Sequence, residues 1–122
     1  MEDSFFQNDE ILIPTVDENS INNENATKIS ELSKKGYQLL KEDDTEGARA
    51  AFNEILELDD NNNYALVGIG DIERKLGHID LAIENYKKCL EYFPANNYAL
   101  FGLADCYKAM KKYNMAIDIW QQ

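Results

Sequence analysis

The feature that most constrains this chain is that it repeats itself every 34 residues. Asn62-Asn63-Tyr64-Ala65-Leu66 recurs as Asn96-Asn97-Tyr98-Ala99-Leu100. Gly68/Gly102, Asp71/Asp105, Ala82/Ala116 and Ile83/Ile117 follow in the same register without a gap. One more step back gives a third, more diverged copy, visible in the columns Leu32/Leu66/Leu100, Gly36/Gly70/Ala104, Ala48/Ala82/Ala116 and Phe52/Tyr86/Trp120. A unit of this length cannot bury its own apolar face, so it must stack on a neighbour.

From Ile29 onward apolar residues recur at helical spacing, and no strand alternation competes with them. Turn residues interrupt the pattern at Asp43-Asp44-Thr45, at 59–63, at Gly77-His78 and at 94–97. The spacing predicts six helices, over 27–42, 46–58, 63–76, 80–93, 97–110 and 114–122. The columns supply the packing logic. Gly36, Gly70 and Ala104 sit midway along the first helix of each pair, and Ala48, Ala82 and Ala116 sit on the second, so the two axes can approach closely. Phe52, Tyr86 and Trp120 then fill the wedge between one pair and the next, and Leu56/Leu90 and Leu58/Tyr92 extend that inner stripe.

At these residues the chain resembles the tetratricopeptide repeat (TPR) family. With copies at 29–62, 63–96 and 97–122, the middle one carries Leu66, Ile69, Gly70, Glu73, Ala82, Tyr86, Cys89 and Pro94 at the family positions. The third carries Leu100, Leu103, Ala104, Tyr107, Ala116 and Trp120, and the first carries Leu32, Lys35, Gly36, Leu39, Ala48, Phe52, Ile55 and Asp60. Lys35 stands at a usually apolar place, Glu73 replaces a tyrosine and Asp60 a proline. The resemblance implies an all-α solenoid of antiparallel helical hairpins wound into a right-handed superhelix.

Ahead of the repeats, residues 1–28 carry seven acids against the single base Lys28, in a chain of net charge −11. They show no helical period, and we expect an acidic, disordered leader. Two apolar clusters interrupt it, Phe5-Phe6 and 11–13 before Pro14. They suit a short motif that docks on a partner or on the chain's own groove. An acidic chain is repelled by phosphate backbones and anionic lipid, which argues against nucleic acid and membrane surfaces as partners. No apolar run approaches the roughly 20 residues of a membrane span, and Met1-Glu2-Asp3 is wrong for an export signal. Cys89 and Cys106 form no ligand motif and read as small buried residues in a reducing, cytoplasmic setting. Asn25-Ala26-Thr27 fits a glycosylation sequon by chance.

A search for catalytic constellations finds none, so we expect no enzyme activity and no cofactor. The one histidine, His78, falls in a turn and reads as a solvated polar residue. Gly68-Ile69-Gly70 lies within a helix pattern, not between a strand and a helix as a phosphate loop requires. Asp71 and Asp105, on adjacent repeats, would sit about 10 Å apart, too far to share a proton. The acid and amide run at 59–63 lacks the glycine and distant glutamate of a calcium loop, and capping accounts for it.

What remains is a surface. The resemblance implies a concave wall built from the first helix of each hairpin, lined by Ser30, Ser33, Tyr37 and Leu40, then Tyr64, Val67, Asp71 and Arg74, then Tyr98, Phe101, Asp105 and Lys108. Gly68 and Gly102 would leave room between these ribs. Aromatic residues with arginine are common interface anchors, although Tyr64 and Tyr98 could instead pack at the hairpin junctions. The clamp with which some family members hold acidic chaperone tails needs lysine, arginine and asparagine. Its positions here hold Ser33, Tyr37, Gly68, Tyr98 and Gly102, none of them lysine, arginine or asparagine, so that ligand is not expected. The expected function is to bind a peptide or helix of a protein partner in the groove. The alternative is assembly through the last hairpin. The third repeat breaks off at Gln122, so Leu103, Tyr107, Ile117 and Trp120 should be partly uncovered. That end suits either a fragment of a longer repeat protein or end-to-end contact in a two-fold homodimer.

Overall fold

The computed structural model describes residues 18–111 and 113–121. They form six helices: α1 (Glu18–Lys41), α2 (Thr45–Leu58), α3 (Asn63–Lys75), α4 (Ile79–Tyr92), α5 (Asn97–Ala109) and α6 (Tyr113–Trp120). No strand occurs among the described residues. The helices pack as three hairpins, α1 on α2, α3 on α4 and α5 on α6. Each hairpin stacks on the next through its second helix, and α1, α3 and α5 also touch in sequence to form one wall. This is the all-α tetratricopeptide-type solenoid.

Local chemistry sets the element ends. The side chains of Asp44, Asn62 and Asn96 accept the N–H of Gly47, Ala65 and Ala99 and so cap α2, α3 and α5. Asp43, Gly77 and Lys111 hold φ of 66°, 85° and 62°, one at each turn inside a hairpin, again 34 positions apart. The left-handed turn closes with Asp44 N–H on the Leu39 carbonyl and His78 N–H on the Glu73 carbonyl. Glycine occupies only the middle copy of this column.

The main departure from the sequence expectation is α1, which begins at Glu18 and not near residue 27. Residues 18–28 contain little apolar surface, so no helical stripe marks them. No glycine or proline interrupts them, however, and adding turns to an existing helix avoids the cost of a new nucleus. Phe5-Phe6 and the 11–13 cluster lie outside the described residues.

The core follows the columns. Phe52 and Tyr86 are fully buried. A Cβ placed on Gly36 would come within 2.7 Å of the Phe52 ring, and one on Gly68 would overlap the same ring from the next repeat. Gly70 and Gly102 flank Tyr86 in the same way, with 2.7 Å at Gly70. Each aromatic ring is thus held between glycines of two successive first helices. This corrects the reading of Gly68 and Gly102 as gaps between ribs of the groove. The space they leave is filled from the inner side by Phe52 and Tyr86.

Candidate functional site

The concave wall starts from α1. Tyr37 packs edge-on against Phe52 (centroids 5.0 Å apart, planes at 68°) and its hydroxyl donates to the Tyr64 carbonyl at 3.1 Å. Two separate contacts therefore fix this side chain before any ligand arrives. Burial pushes its hydroxyl pKa well above the usual phenol range, with Asp71 adding in the same direction. Tyr64 and Tyr98, each one position into its helix, are 52% and 76% exposed, so neither ring is buried at a hairpin junction. Val67 is buried and floors the space between them.

Tyr37, Tyr64, Val67, Asp71 and Tyr98, with Ser33, Asn63 and Asn96, line a groove of about 470 Å³. Six of the twelve residues expected on the wall, Ser33 among them, thus meet in one cavity. A second hollow of about 560 Å³ shares Ser33 and Tyr64 with it and continues along α1 past Ser30 and Ile29 to Ala26. Phe101 is 57% exposed, and neither it nor Lys108 lines either space. Asn63 and Asn96 were not expected there. The sequence signal for them is the duplicated Asn-Asn-Tyr.

Of the four charged residues expected on the wall, Asp71, Arg74 and Asp105 form one network. Arg74 spans two repeats, 2.7 Å from Asp105 Oδ2 and 3.6 Å from Asp71 Oδ1. The Tyr86 hydroxyl, reaching through from the core, donates a hydrogen bond to the same Asp71 Oδ1. Burial pushes the Asp71 carboxyl above the usual carboxylate range; Tyr86 and Arg74 pull it back, and Asp105 pushes it further up. Lys108 makes no part of this network.

Behind the wall lies a cluster that the sequence did not flag as one. Glu73, at the place where the family carries tyrosine, is buried. Its Oε1 accepts from Arg49 Nη2 at 3.1 Å and lies 3.2 Å from His78 Nδ1. Burial pushes the Glu73 carboxyl up, but Arg49 and His78 together outweigh it and leave its pKa lowered. His78, expected to be merely solvated, is therefore tied to its own repeat, and Glu73 links α2 to α3. Among the described residues no group of three or more His, Cys, Asp or Glu could hold a metal ion. No helix there is long and apolar enough to cross a membrane.

At the last hairpin the expectation is only partly met. Leu103 and Tyr107 are each 6% exposed, not uncovered, because Tyr86 and Cys89 of α4 and Ile119 of α6 close over them. Lys87 adds its ammonium 6.0 Å from the Tyr107 ring centroid. Trp120 is 48% exposed. The Ile117 side chain lies outside the described residues.

Two family models, each described as tetratricopeptide repeat, match residues 64–96 and 98–122. Residues 64–122 carry repeats of the tetratricopeptide repeat family. Repeats of this family are generally protein–protein interaction modules and typically not enzymes. The hairpin of α1 and α2 lies outside both matches and joins the same stack by its packing on α3. No curated protein matches the chain.

Proposed function

We propose that this chain is a non-enzymatic binding module that takes a peptide or short helix of a partner protein along its concave wall, without a cofactor, in the cytoplasm. The observation that carries the reading is the groove itself. Tyr37, Tyr64 and Tyr98, from three successive first helices, surround one cavity, and two of the three are more than half exposed. Large amphipathic rings held on rigid helices lose little entropy on binding and tend to dominate interface energetics. The test is to pan a random peptide library on the full chain. The bound peptide is then mapped by amide chemical shifts, and binding is repeated with Tyr98→Ala. Shifts confined to the wall and weaker binding by the variant support the groove; shifts on the α2 and α4 side refute it.

The exposure of Trp120 favours a second reading, contact through the last hairpin. Phe52 and Tyr86, in the same column, are each covered by a glycine of the following first helix. Sedimentation of the chain and of Trp120→Glu tests this. A concentration-dependent dimer that the variant abolishes supports it, and a monomer at every concentration removes it.

A further inference from the structure

We infer that the groove selects a basic side chain, an arginine or lysine of the partner peptide, which enters the space between Tyr37, Tyr64 and Tyr98 and faces Asp71. The inference rests on the groove reading above and adds the chemistry of the occupant. Three phenol rings and a carboxylate lining one cavity of about 470 Å³ are the components of a cation site. Aromatic ring faces attract a cation through their quadrupole, and the attraction grows as the cation is desolvated. The carboxylate adds a charged acceptor at the inner wall.

The surrounding charges point the same way. Among the described residues Arg74 is the base paired with Asp71, and it lies closer to Asp105, at 2.7 Å against 3.6 Å. Two carboxylates therefore share one guanidinium at the inner wall, and the excess is negative. Ser33, Asn63 and Asn96, the other polar lining residues, carry no charge to offset it. Asp71 also sits where burial disfavours its ionised form, so an arriving cation relieves an existing cost. The whole chain, at net −11, draws basic segments toward it at low salt. These charges disfavour the chain's own leader as occupant. Its apolar clusters at Phe5-Phe6 and 11–13 are flanked by Asp3, Asp9, Glu10 and Asp17, and it has no base before Lys28.

The experiment uses the same library panning and reads the composition of the enriched peptides. A basic residue at one aligned position is expected. In a synthetic copy of the best peptide, citrulline for arginine, or norleucine for lysine, should weaken binding about tenfold, the scale of one desolvated cation–π contact with a charged partner. Asp71→Asn should remove the preference and flatten the salt dependence of binding. Asp71 also receives the Tyr86 hydroxyl, so Tyr98→Ala, at an exposed ring, serves as the second variant and should lose the same discrimination. Peptides without a base that still map to the wall would overturn the inference and leave the groove reading intact. No enrichment at all, or enrichment that maps elsewhere, would remove the groove reading and the inference with it. A synthetic peptide of residues 3–15 that binds the wall and displaces the selected peptide would also overturn the inference.

Discussion

Gly68→Ala is the smallest change that reaches the centre of this fold. The added methyl would overlap the Phe52 ring, which cannot withdraw. On its far side stands Gly36, where even a Cβ would be 2.7 Å away, and Tyr37 lies edge-on at 5.0 Å. Two terms oppose each other. Alanine is the better helix former by about 1 kcal/mol, while overpacking a closed core costs about 1–3 kcal/mol. Because the contact is with a ring confined on both faces, the cost should lie in the upper part of its range and prevail, leaving a net loss of up to about 2 kcal/mol. With a urea slope of about 2 kcal/mol per molar, the midpoint should fall by up to about 1 M at unchanged slope. Phe52→Leu shortens the ring side of the contact, so the double variant should be more stable than the two single losses predict, by about 0.5–2 kcal/mol of coupling. Gly102→Ala should act on Tyr86 in the same way. A Gly68→Ala midpoint at or above that of the parent, or strict additivity with Phe52→Leu, would refute the account of the stack as rings held between glycines.

Three further outcomes follow from the same contacts. Glu73→Gln should destabilise by about 1–3 kcal/mol, since it weakens two contacts to basic groups at a buried site. The parent should lose stability as the pH falls through the ordinary carboxylate range and below it, because the Glu73 pKa is depressed in the folded state and its contribution vanishes on protonation; urea melts across pH should show a shallower acid limb for the variant. Lys111→Gly should raise the stability by about 1 kcal/mol, seen as a higher urea midpoint, because Lys111 holds a φ of 62° that glycine adopts without strain. Cys89 and Cys106 are fully buried, and burial pushes both thiols up, so a thiol reagent should label them only at the rate of unfolding.

The repeat columns made the fold legible because each encodes a contact that recurs. Small residues at Gly36 and Gly70 and rings at Phe52 and Tyr86 announce one another at a fixed distance in the chain. The first turns of α1 were not legible, since a solvated helix extension needs no apolar stripe. Glu73 looked like a family departure and not a link, because its partner Arg49 lies 24 residues away on another hairpin. In the groove, Tyr64 and Tyr98 could be placed by register. Whether Arg74 would turn to its own repeat or cross to Asp105 depends on the spacing of adjacent helices, which no single-chain pattern carries. The burial of Leu103 and Tyr107 depends likewise on α4 and α6 closing over them.

The central claim is that ligand sits on the concave wall, and intermolecular nuclear Overhauser effects between a library-selected peptide and the full chain test it most directly. The account predicts effects from the peptide to the rings of Tyr37, Tyr64 and Tyr98, with an arginine or lysine side chain of the peptide among the protons that report them. Effects concentrated instead on Trp120 and Met115 of the last hairpin, with none to the three tyrosines, would contradict it.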